Sequence, residues 1–247
     1  MPPADRSNGG RRARARPAQE ADVPAGAGYG LYEDWLSAFR RRRFAWLLGL
    51  LLLTLAGGPL FKAVTGVDLM EFLLAVTLLA AIAASAEKRW TRWLIALGLA
   101  FVLVRAAQTI MGTQTLMPAS QVLWMAAMLL AMAVMVRFAF KTGPVDSERV
   151  CAALDAYLVL GLIFGVSFWL LDQLFPGSLA MASEGPISLN RAVYFSFVTI
   201  ATLGYGDIVP TSDVAGGIAV VEAVIGQFYL VVLVARLVSL YARQSDK

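Results

Sequence analysis

The chain of 247 residues contains no histidine and a single cysteine, Cys151. The first absence removes imidazole acid–base catalysis and the Cys/His sets that hold zinc. The second removes any disulfide within the chain, so Cys151 reads as a small packing residue near a helix start. Charge is scarce as well. Only 15% of the residues are Asp, Glu, Lys or Arg, where a soluble domain carries about 25%. No nucleophile–base set or metal cluster stands out, and nothing in the pattern supports an enzyme. What is abundant is apolar: 59% of the chain is hydrophobic. This is the composition of an integral membrane protein. The net charge of +4 comes from basic residues gathered at the ends of apolar runs, which reads as membrane topology and not as a nucleic-acid footprint.

Residues 1–30 are rich in Pro, Gly, Ala and Arg, with Arg11, Arg12, Arg14 and Arg16 close together. No apolar run follows within that window, so a secretory signal peptide is not expected. A basic, solvated tail is the preferred reading over one that binds anionic lipid or nucleic acid, so no nucleic-acid partner is expected. Tyr32, Trp35, Leu36 and Phe39 then fall at helical spacing before Arg40 to Arg43. Residues 1–43 are thus read as a cytoplasmic basic tail followed by an interfacial helix.

Six apolar runs follow, about 44–61, 69–86, 92–111, 119–140, 149–174 and 214–241. Each is near the roughly 20 residues that span a bilayer. Gly57, Gly58 and Pro59 are read as the end of the first. Lys and Arg bias sets the orientation. With the N-terminus in the cytoplasm, the inner joints hold Arg40 to Arg43, Lys88, Arg89, Arg92, Arg137, Lys141, Arg149, Arg236, Arg243 and Lys247, and the outer ones only Lys62 and Arg191. Both termini are expected inside a multi-pass protein of the cell membrane.

Between the last two runs the chain reads Thr199-Ile200-Ala201-Thr202-Leu203-Gly204-Tyr205-Gly206-Asp207. A pore for bare cations must replace the water shell with fixed oxygens. Consecutive backbone carbonyls serve if the backbone alternates between right- and left-handed conformations, which favours glycine at every second position. Gly204 and Gly206 have that spacing, Thr202 adds a hydroxyl at one end, and Asp207 adds a carboxylate at the other. Pro176 and Gly177 end the fifth run, a polar turret extends to about 187, and Ser188 or Asn190 is placed to cap a short helix over 188–201. That helix is too short to span and is read as re-entrant.

These residues match the potassium-channel signature T-x-x-T-x-G-Y-G-D at every fixed position, and the chain resembles that family strongly over about 150–241. Leu203 stands where other versions have Val. With the apolar runs, the resemblance gives an all-α membrane protein of six transmembrane helices: a four-helix domain over 44–141, where the resemblance is only in number and placement, and a pore domain over 149–241. The pore domain divides into an outer helix 149–174, pore helix 188–201, filter 202–207 and inner helix 214–241. It implies potassium coordinated by carbonyls of Thr202, Leu203, Gly204 and Tyr205, with Gly206 and Asp207 completing the filter. Potassium is then the permeating ion, and no cofactor is expected. One loop supplies a quarter of the ring, so a homotetramer in membrane lipid is implied.

Further positions follow from the same resemblance. Tyr194 and Phe195 match an aromatic cuff, and Thr199 or Ser196 is expected to hold Tyr205. Val198 stands where some members carry a carboxylate paired with the filter Asp. Apart from the resemblance, Glu222 is an ionisable residue within a span, one turn before Gly226; it is expected to hydrogen-bond behind the filter and replace that carboxylate in part. Gly226, 20 residues after Gly206, is open to two readings, a gating hinge or close helix packing. Leu230, Val234 and Val238 likewise read as a hydrophobic constriction or a packing stripe.

The fourth run lacks the repeated Arg of a voltage sensor and reaches Arg137 only at its inner end, with Arg105 the other deep cation. One charge yields about 2.3 kcal/mol per 100 mV, so strong voltage gating is not expected. Arg105 is expected to snorkel or to pair with a carboxylate such as Glu71, and Asp155 and Asp172 to be solvated near helix ends. Six residues follow Tyr241, so ligand gating would require a separate regulatory partner. The competing functions are a weakly selective cation channel, a transporter subunit of the kind built from four pore loops in one chain, and a non-conducting membrane sensor or scaffold.

Overall fold

A computed structural model describes residues 42–66, 70–84, 88–112, 117–141, 146–181 and 186–245. The basic tail and interfacial helix expected over 1–43 lie outside these residues but for the last two positions. Among the described residues are seven helices: α1 (Arg43–Thr65), α2 (Met70–Ala84), α3 (Lys88–Met111), α4 (Met117–Ala139), α5 (Ser147–Leu174), α6 (Leu189–Ile200) and α7 (Asp213–Ser245). Two three-residue strands, β1 (Leu179–Met181) and β2 (Ile208–Pro210), flank α6 in the chain. The protein is a multi-pass, helical membrane protein. Helices α1, α3, α4, α5 and α7 are long and apolar enough to cross a bilayer.

Of the run 69–86, the described helix α2 covers 15 residues, and residues 67–69 and 85–87 on either side lie outside the described ones. One span expectation is corrected. Pro59 does not end the first span. Helix α1 runs through it to Thr65 and closes on Gly66, whose left-handed backbone (φ 75°) lets its N–H reach Lys62 O. A proline inside a helix forfeits one hydrogen bond. Packing holds the helix together there: Gly58 is buried so closely that a Cβ would stand 3.2 Å from both Met70 Sδ and Asn190 Oδ1.

Helix α5 is the centre of the fold, with α1, α4, α6 and α7 all packed on it. Its small buried residues Ala152, Ala153 and Ala156 let neighbours approach, and Leu162, Val166 and Phe168 fill the space above them. Asp146 caps α5 by accepting from Arg149 N–H at 3.0 Å. Helix α1 has no cap of its own; Glu148 of α5 accepts from Phe44 N–H at 3.1 Å and supplies a carboxylate at the positive end of the α1 dipole. In the first four helices, the buried Trp124 indole of α4 donates to Leu74 O of α2 at 3.2 Å. Gln108 of α3 donates to Ser120 of α4 at 3.4 Å. The expected pairing of Arg105 with Glu71 concerns a side chain, Glu71, outside the described residues.

Candidate functional site

Helix α6 is 12 residues long, about 18 Å, and cannot span a bilayer. Ser188 caps it by accepting from Arg191 N–H at 3.4 Å. Two glycines one turn apart on α5 make its seat. A Cβ at Gly161 would lie 2.7 Å from the Phe197 ring, and one at Gly165 would lie 2.7 Å from Val193 Cα. The residues that touch, Val193 and Phe197, are themselves one turn apart, so the two helices mesh over the whole motif.

The chain then turns through Thr202–Asp207. Thr202 (φ 57°), Gly204 (φ 57°) and Gly206 (φ 77°) are all left-handed. Every second residue is thus inverted, and successive peptide units can present their carbonyls to one side. Glycine adopts this freely. Thr202 is β-branched, so its conformation is a rare one that costs on the order of 1–2 kcal/mol. The amides at the start of the loop return to α6: Thr202 N–H to Thr199 O at 2.9 Å, and Leu203 and Gly204 N–H to Val198 O at 2.9 and 3.4 Å. Amides so engaged leave their own carbonyls directed away from α6. All residues from 201 to 207 are exposed in the single chain, Tyr205 at 65%.

The far end of the loop is clamped by an element within the expected polar turret. Strand β1 pairs antiparallel with β2, Ala180 opposite Val209. Asp172, expected to be solvated, is instead buried at the end of α5. Its Oδ1 accepts from Gly177 N–H at 3.1 Å and Leu179 N–H at 3.4 Å, and its Oδ2 from Ile187 N–H at 3.4 Å. One carboxylate therefore gathers both ends of the turret, and β1 passes that order to the segment following Asp207. The Tyr194 side chain faces the Asp207 carboxylate. Phe195 does not join it: it is buried edge-on against Phe168 of α5, ring centroids 4.8 Å apart.

Behind the loop, Ser196 is not turned toward Tyr205. It is buried between α5 and α7, in hydrogen-bond contact with Gly161 O at 2.7 Å and with Glu222 Oε1. Tyr157 of α5 donates to Ile200 O, near the end of α6, at 3.2 Å. Tyr157 stacks on Tyr229 of α7 at 5.9 Å, and Tyr229 donates to Ala153 O at 2.6 Å. Gly226 abuts Ile200, and a Cβ there would overlap Ile200 Cγ1. That contact supplies the packing reason for this glycine, and α7 runs unbroken through it. Leu230 is half-buried and Val234 exposed, while the Val238 side chain lies outside the described residues. Asp155, also expected near solvent, is fully buried in α5, and neither carboxyl oxygen has a hydrogen-bond partner among the described residues.

The residues missed from sequence are Asp172, Tyr157, Glu148 and the α5 glycines. Only the glycines carried a signal, since a small-x-x-x-small pattern within an apolar run marks a close helix crossing. Residues 153–243 match a family model described as ion channel. No curated protein and no solved structure matches the chain.

Proposed function

We propose, from the match of residues 153–243 to an ion-channel family model, that the protein conducts potassium passively through a fourfold ring of identical chains. The observation that carries the reading is the left-handed backbone at Thr202, Gly204 and Gly206, with the adjoining amides turned back onto α6. Four such loops about one axis make a column of carbonyl oxygens. Thr202, Leu203, Gly204 and Tyr205 coordinate the ion, and Gly206 and Asp207 form the mouth. The loop, exposed on its own, is covered only when the ring closes.

In this arrangement α5 is the outer helix, α6 the pore helix and α7 the inner helix. The C-terminal end of the α6 dipole favours a cation below the filter. Potassium is cargo and not a resident cofactor. The first four helices complete six passes, with both termini in the cytoplasm and Asp207 outside, and their few charges leave them unsuited to strong voltage gating. Tyr194, Phe195, Ser196, Thr199 and Glu222 support the filter from behind. Gly226, Leu230, Val234 and Val238 set the path of the inner helix.

The test is flux through purified protein in liposomes with potassium, with sodium in its place, and with barium. Barium-sensitive flux carried by potassium and not by sodium is the expected result. Equal sodium and potassium flux would make the protein a weakly selective cation channel. Absence of flux from an intact tetramer, with or without candidate partners, would favour a membrane sensor or scaffold.

A further inference from the structure

Ser196 Oγ touches two oxygens at once, Gly161 O of α5 and Glu222 Oε1 of α7. Each of the two contacts between oxygens needs a hydrogen. A serine hydroxyl has one, a backbone carbonyl has none, and an ionised carboxylate has none. The serine hydrogen serves the carbonyl of Gly161, because nothing else can. The second hydrogen must then sit on Glu222. We propose that Glu222 is held as a neutral carboxylic acid whose proton completes a brace, Glu222 to Ser196 to Gly161, tying both spans of the pore module to the helix behind the filter.

The surroundings agree with a neutral acid. Glu222 is completely buried, and its Oε2 has no hydrogen-bond partner among the described residues. An uncharged oxygen costs far less in that position than half of a carboxylate. From α5 the group that faces Glu222 is Tyr157. The only charged residue of α6, Arg191, lies exposed in its first turn with Nη1 on Met181 Sδ. Along α7 no other charge falls between Asp213 and Arg236, and β2 has none. Asp155 lies deeper along α5, beside Tyr229.

Loss of the proton to water would leave one hydroxyl with two acceptors. Ser196 could then serve the Glu222 carboxylate or the Gly161 carbonyl, but not both. The brace would open on one side, directly behind the residues from which the Leu203 and Gly204 amides hang. The functional consequence rests on the potassium-channel reading above, whereas the protonation of Glu222 does not.

Two measurements on the full-length protein in liposomes separate these. Infrared spectroscopy at neutral pH should show a protonated carboxyl band that disappears in Glu222→Gln, with Asp155→Asn recorded alongside to set aside the other buried acid. Flux should fall about tenfold as the pH is raised through the loss of that band, the effect of one hydrogen bond. In Glu222→Gln the flux, whatever its level, should no longer fall, because the amide donates to Ser196 at every pH. Glu222→Ala should be weakened throughout. A carboxylate signature for Glu222 at neutral pH would overturn the proposal, as would an alkaline fall that persists unchanged in Glu222→Gln. If the protein carries no flux at all, the infrared band still decides the protonation, and only the conduction reading fails.

Discussion

Helices α5 and α7 belong to one module and are similarly apolar, yet they are used in opposite ways. In its most apolar stretch α5 is 61% buried inside the single chain, and α7 only 17%. Around α7 the buried positions Ala215, Glu222, Gly226 and Leu233 form one narrow stripe. Val220, Val224, Phe228 and Val231 lie bare on the other side. Apolarity therefore does not say what a residue packs against. Helix α5 is finished within its own chain, whereas α7 has about half its circumference left for neighbours and, in the proposed ring, for the ion path.

Substitutions on the two helices should fail differently, and the largest effect is expected on α5. Gly165→Val would drive a side chain into the Val193 backbone, where overpacking costs about 1–3 kcal/mol or more. The expected outcome is loss of the folded subunit itself, read as aggregation and absence of any tetramer on size-exclusion chromatography. Phe228→Ala on the bare side of α7 should leave the subunit folded and weaken only assembly, read by cross-linking in detergent. A folded Gly165→Val tetramer, or a Phe228→Ala subunit that unfolds, would break the comparison.

The next effect is on function without loss of fold. Gly204→Ala forces a side chain into a left-handed position at about 1–2 kcal/mol per subunit. It should abolish potassium flux while the tetramer stays intact by chromatography. Asp172→Asn tests how far α5 reaches beyond its own packing. Three backbone donors lose a charged acceptor, so thermal stability should fall by about 1–3 kcal/mol, with the turret first to become accessible to protease. The smallest effect is expected at the α5–α1 junction. Glu148→Gln keeps an acceptor for Phe44 N–H but removes the charge at the helix terminus, and should cost about 0.3–1 kcal/mol in thermal unfolding.

Much of the loop was legible because its constraints are local. Gly204 and Gly206 invert the backbone because they lack a Cβ, and Ser188 caps α6 with an oxygen placed by its own chain position. The apolar runs were legible for a similar reason, since length and charge alone decide whether a helix suits a bilayer. Asp172 and Asp155 were misjudged because position near a helix end says little about depth once other elements fold over it. The packing of Phe195 on Phe168 was not legible because the two faces of α6 cannot be told apart until α5 is in place.

The sequence alone determined that this is a membrane protein with a left-handed, glycine-spaced loop between two apolar helices, because hydrophobic length and backbone sterics act within a few residues. The tertiary structure decided the rest. It brought Glu222 to Ser196, Asp172 to three distant amides, and Gly161 and Gly165 under Phe197 and Val193. Those partners are separated in the chain by more than any local preference can reach, and only the way the helices pack on α5 puts them together.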